Sequence, residues 1–69
     1  MQLSARNQLK GTITSIKLGE VMAEVTVDIG GGNEIVSAIT RGSVEGLGLT
    51  EGMTVYAIIK STEVILGKE

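Results

Sequence analysis

A chain of 69 residues is the length of one small domain, and with no Cys and no His it holds no zinc finger, thiol nucleophile, haem ligand, iron–sulfur cluster or Ser-His-Asp triad. Six cationic against eight acidic side chains give a net charge of −2, which argues against a general nucleic-acid binder. At 42% hydrophobic residues the chain is also too apolar for a disordered tail.

In chain order, Asn7 to Leu18 reads as a first strand, with Gly11 as a bulge or a point of close backbone approach. Leu18-Gly19-Glu20 is a tight turn. From Val21, the residues Val21, Ala23, Val25, Val27 and Ile29 share one face, and Met22, Glu24, Thr26 and Asp28 share the other. That period of two is a half-buried strand. Gly30-Gly31-Gly32-Asn33 is a hairpin turn, because Gly supplies the positive φ that such turns need. Glu34 to Thr40 is the partner strand, apolar on both faces, so both faces are expected to be covered. Ser43 to Leu49 is a single helical turn, capped by Ser43 and ended by Gly48. Met53 to Lys60 is the next strand, with Met53, Val55, Ala57 and Ile59 on one face. After a break at Ser61-Thr62, Glu63 to Leu66 is a short last strand. Five short strands and one helical turn predict a single all-β domain over residues 1–69, a compact antiparallel barrel that resembles an oligonucleotide/oligosaccharide-binding (OB) fold.

A chain this short buries only about 60% of the surface it exposes when unfolded. Its core supplies about 3–5 kcal/mol, so part of its apolar surface is expected to be subunit interface; a well-packed monomer with ordinary exposed aliphatics is the alternative. The first residues have no apolar core of signal-peptide length, and no apolar run approaches the roughly 20 residues of a membrane span. The chain is therefore expected to be cytoplasmic.

Several motifs fail on inspection. Lys60-Ser61-Thr62 looks like the tail of a phosphate-binding loop, but Ile59 and Thr54 stand where that loop needs Gly. Gly42, Gly46 and Gly48 have the wrong spacing for a dinucleotide fingerprint. Glu24 and Asp28 lie four apart on one strand face, about 13 Å along the backbone, too far for a cooperating acid and base. No acid pair remains for an enzyme.

Two clusters survive: Ser4-Ala5-Arg6-Asn7 and Lys60-Ser61-Thr62. Each joins one fixed cation to hydroxyl or amide donors, which is what an oxyanion needs. Thr40 and Ser43 add donors near the unpaired N–H groups of the helical turn. The same residues also read as surface charges and turn hydroxyls, and composition leaves both readings open.

The motifs carry a further signal. Ser4-Ala5-Arg6-Asn7-Gln8-Leu9-Lys10-Gly11 resembles the opening motif of the molbindin (Mop) family, and Val55 to Val64, containing Lys60-Ser61-Thr62, resembles its closing motif. The segment between, with Asn33, Ile35, Ser37, Ile39 and Ser43-Val44-Glu45-x-Leu47-Gly48, matches in kind. The resemblance covers essentially the whole chain. It implies a non-enzymatic cytoplasmic protein that binds molybdate as the oxyanion, in a family of which some members accept tungstate. Storage or buffering is its implied role, in a free-standing form of a domain that also serves as the sensing tail of molybdate-responsive regulators and transport ATPases. It implies a homo-hexamer, a trimer of dimers, with anions at subunit interfaces. By position, Ser4, Arg6, Lys60 and Ser61 resemble direct ligands, and Thr40 and Ser43 contributors from a neighbouring subunit. Ala5 and Asn7 would act through backbone or amide groups. No metal ligand or cofactor is implied beyond the oxyanion itself. A structural assembly module and an OB-like nucleic-acid-binding domain are the competing classes; the second needs stacking aromatics, and Tyr56 is the only aromatic residue.

Overall fold

The computed structural model describes residues 1–69. Four strands, β1 (Asn7–Leu18), β2 (Met22–Gly30), β3 (Asn33–Thr40) and β4 (Thr54–Ile59), form one antiparallel sheet in the order β3-β2-β1-β4. One helix, α1 (Arg41–Leu47), joins β3 to the segment before β4, and a 3-10 turn, Ser61–Glu63, follows β4.

The alternation in β2 sets the inner face. Ala23, Val25 and Val27 are buried, and Ile13 of β1 and Val44 of α1 complete the fully buried core. Ile16, Ile29, Ile39, Leu49, Met53 and Val55 pack around it half-exposed. Register carries the pattern across the sheet: Val27 sits between Ile13 on β1 and Ile35 on β3. The opposite face of β3 is open in the single chain, where Val36 is 61% exposed, so the expectation that both faces are covered is not met within one copy.

β1 pairs with β2 through its second half and with β4 through its first, and Thr12 belongs to both ladders. Gly11 is the close-approach point: a Cβ there would lie 2.5 Å from the Asp28 carbonyl oxygen and 2.6 Å from Val27 Cγ1. The bulge falls at Thr14 instead, where the register slips between Ile13 and Ser15. Beyond β1, Gly52 donates to the Ile13 carbonyl at 2.8 Å and Ile13 to the Met53 carbonyl at 2.9 Å, which seats the start of β4. The hairpin between β2 and β3 is made by Gly30, Gly31 and Gly32, all at positive φ.

Three expectations are corrected. Val21 is 71% exposed and outside β2, because residues 19–22 form the turn: the Gly19 N–H bonds the Met22 carbonyl at 2.8 Å. The N-cap of α1 is Thr40, not Ser43. Thr40 has the extended backbone a cap requires, and its Oγ1 accepts from the Ser43 N–H at 3.0 Å. The expected end is observed: Gly48 is left-handed at φ 64° and bonds back to Glu45 and Val44. Last, the structure has four strands rather than five. Glu63 donates to the Lys60 carbonyl at 2.9 Å and Val64 to the Ser61 carbonyl at 3.4 Å, so the chain turns where Glu63–Leu66 was expected to run as a strand. Val64, Ile65 and Leu66 find no ladder partner in the chain, and Ile65 is 93% exposed.

Candidate oxyanion site

The β1–β4 ladder decides where the two sequence clusters lie. Asn7 is the Cα partner of Ile59, so Arg6 and Lys60 are the next residues beyond the last pair, side by side at one end of the sheet. Ser4 and Ala5 lead into this end and Ser61 leaves it on the 3-10 turn. Gln8 Nε2 donates to the Ala5 carbonyl at 2.9 Å and ties the approach to β1. Ser4, Arg6, Lys60 and Ser61 are exposed, while Ala5 and Asn7 are half-buried. Neither Arg6 nor Lys60 joins an ion pair in the chain, since the only one present is Arg41–Glu45. Two free cations and two hydroxyls thus share one exposed edge, with their full donor capacity available.

Thr40 and Ser43 are elsewhere. Thr40 pairs with Met22, next to the Leu18–Ala23 pair at the far end of β1. β1 has 12 residues, about 36 Å of strand path, between that end and Asn7. One copy therefore carries the predicted residues as two separate groups. At the second group the Thr40 and Ser43 hydroxyls are 2.7 Å apart. One hydroxyl donates to the other, so the pair keeps one free O–H donor rather than two.

The sequence reading passed over Arg41, which lies between these hydroxyls in the chain. Its Nε donates to Glu45 Oε1 at 2.9 Å and its Nη1 to the Gly19 carbonyl at 3.2 Å. The signal available was the Arg-x-x-x-Glu spacing on a short helix.

The chain has one sizeable cavity, an apolar groove of about 620 Å³ between β3 and β4, the two unpaired sheet edges. Val27, Ile35, Ile39, Val55 and Ile59 line it, Glu34 is its only charged member, and only the hydroxyls of Ser37 and Tyr56 interrupt the apolar wall, so it holds no cation to meet a dianion. No cluster of three carboxylate, His or Cys ligands could hold a metal ion.

The TOBE domain model matches residues 3–66. The chain is 52% identical to molybdenum-pterin-binding protein 1 of Clostridium pasteurianum over 66 residues, which is 96% of this chain and 97% of that one. It is similar in structure to MopII from the same organism, with a TM-score of 0.91 and 49% identity, covering 97% of this chain and all of that one. The chain belongs to the molbindin (Mop) group of TOBE domains. A further Mop-type match is the cytoplasmic molybdate-binding protein ModG with molybdate bound: TM-score 0.91, 49% identity, 97% of this chain and 48% of that one. The Mop fold seen here is a four-stranded, OB-like antiparallel sheet with one short helix. No helix in it is long and apolar enough to cross a membrane.

Proposed function

We propose that this chain binds molybdate as the intact oxyanion, accepts tungstate by the same chemistry, and serves in the cytoplasm as a store or buffer, without catalysis. The observation that carries the reading is the Asn7–Ile59 register, which sets Arg6 beside Lys60 with no internal counter-charge. Two cations offset a dianion. Ser4 and Ser61, with backbone and amide donors of Ala5 and Asn7, fill its remaining lone pairs. Molybdate bound to ModG, which is 49% identical to this chain, supports the choice of anion.

The site is completed by a second copy. Donors at one exposed end of the sheet reach a tetrahedron from one side only, and the Thr40–Ser43 pair at the other end of β1 is the donor group a neighbouring copy would bring to the other side. Assembly has its own driving force. Only five of 69 residues are buried, Ile65 and Leu66 are 93% and 89% exposed, and an apolar groove lies open between β3 and β4. We take the assembly to be a hexamer, a trimer of dimers, of single-domain chains spanning residues 1–69.

Calorimetry with molybdate, tungstate, sulfate and phosphate, run with native mass spectrometry of the same sample, tests this. Molybdate and tungstate are expected to bind far more tightly, because each donor left unpaired around a smaller tetrahedron costs about 1–3 kcal/mol. Phosphate carries a proton that an all-donor site cannot accept. Equal heats for sulfate and molybdate, or a clean monomer, overturn the reading.

A further inference from the structure

We propose that Arg41 is a positioning residue of the oxyanion site: it clamps α1 onto the β1–β2 turn and so fixes where the Thr40–Ser43 hydroxyl pair points. The proposal rests on the oxyanion reading above. Its physical basis is how lightly α1 is otherwise held. The helix has seven residues and buries one of them, Val44. A single apolar anchor holds a short helix lightly, and Ser43 on its first turn shifts with it relative to Thr40, which the β2–β3 ladder fixes.

Arg41 removes that freedom through three bonds. Its backbone N–H donates to the Val21 carbonyl at 2.7 Å. Its Nη1 donates to the Gly19 carbonyl at 3.2 Å, two residues earlier in the same turn. Its Nε donates to Glu45 Oε1 at 2.9 Å, one helical turn along α1. The planar guanidinium thus bridges two elements, the turn on one side and the helix on the other, a geometry that a Lys point charge does not reproduce. The turn it grips is closed by the Gly19–Met22 bond, and Met22 is the ladder partner of Thr40. The clamp therefore closes a loop of contacts around Thr40.

The role is geometric rather than one of stability or charge. The Arg41 and Glu45 side chains are 44% and 64% exposed, and an exposed pair of this kind contributes little to folding. Glu45 also neutralises Arg41 locally, which leaves Arg6 and Lys60 as the cations that meet the anion.

Molybdate titrations of the assembled parent protein, Arg41→Ala, Ser43→Ala, the double variant and Arg6→Ala test the proposal. Arg41→Ala is expected to weaken molybdate binding about tenfold, the scale on which supporting residues act on bound ions. In the Ser43→Ala background the same change is expected to add less than about twofold, because the group it positions is gone. The slope of log Kd against log salt is expected to stay as in the parent, since no charge at the anion is lost.

Hydrogen exchange without ligand reads the clamp directly. In Arg41→Ala the Ser43 amide is expected to exchange about tenfold faster while the β1–β4 ladder amides keep their protection. A parent-like titration, a full tenfold loss in the Ser43→Ala background, a slope reduced by a whole charge, or unchanged Ser43 exchange each overturns the proposal. Failure of the underlying reading looks different: parent and Arg6→Ala would then titrate alike.

Discussion

Arg6 and Lys60 at the β1–β4 end carry charge with no partner in the chain, whereas Arg41 at the α1 end carries the same charge and is paired with Glu45. The two ends also differ in what fixes them. The first is set by a six-pair ladder from Asn7–Ile59 to Thr12–Thr54, rigid because it belongs to the sheet. The second is set by a cap, one buried valine and a surface clamp. Polar groups on the rigid end can stay unpaired and wait for a ligand. Those on the lightly held end must first hold one another, as the Thr40 and Ser43 hydroxyls do at 2.7 Å. Free donors on a sheet edge and mutually bonded donors on a short helix are two ways of presenting the same chemistry.

Substitutions can break this contrast or sharpen it. Gly11→Ala is expected to damage both ends, since β1 passes from one to the other and an added Cβ would press on the Asp28 carbonyl. A loss of about 3 kcal/mol in denaturant unfolding is expected, the upper range for overpacking against backbone. A fully stable Gly11→Ala protein would show that β1 relaxes there.

Arg6→Ala and Lys60→Ala act on the first end alone. Each is expected to weaken molybdate binding by about 1.5–3 kcal/mol, roughly 10- to 150-fold, with the melting temperature and the oligomer unchanged. Arg6→Lys also loses affinity, because it lacks the planar fork. If both alanine variants titrate like the parent, the two clusters are plain surface charge.

Thr40→Ala acts on the second end and combines stability with binding. It removes the bond from the Ser43 N–H and is expected to cost about 1 kcal/mol of stability, which Thr40→Ser restores. Identical melts for the two variants would refute the cap. The smallest effect is expected for Glu24→Gln on the outer face of β2, within about 0.5 kcal/mol by unfolding and no change by calorimetry.

Strands were legible in the sequence where period two or glycine spoke clearly. β1 runs over the expected Asn7–Leu18, the Gly30–Gly32 turn and the Gly48 cap fall where read, and the inner face of β2 is the expected one from Ala23 to Ile29. What failed depended on contacts across the chain. Val21 continues the alternation but is drawn into the turn by bonds at Gly19 and Arg41. Thr40 and Ser43 are both competent caps by type, and only the backbone at the β3 end selects Thr40. Val64-Ile65-Leu66 has the composition of a strand, yet a strand needs a neighbour, and the free edges of β3 and β4 do not take it within one copy. The candidate site was legible as residue types and not as a place. Nothing local says that Ser4–Asn7 and Lys60–Ser61, at opposite ends of the sequence, meet at one sheet edge; that follows from β4 pairing with β1 rather than with β3. For Arg41 only the pairing with Glu45 was legible, from the i,i+4 spacing; its reach to the Gly19 carbonyl carries no sequence signature.

The β1–β4 ladder also sets an order of events during folding. The β1–β2 and β2–β3 hairpins close over a handful of residues, at Leu18–Ala23 and Gly30–Asn33. Asn7 and Ile59 lie 52 positions apart, so their ladder closes the longest loop in the chain and carries the largest share of its contact order. Arg6 and Lys60 become neighbours only at that step. In the proposed site, anion capture within a chain therefore waits for this ladder, and full capture waits for the second copy: an oxyanion added during refolding would report when both steps are complete.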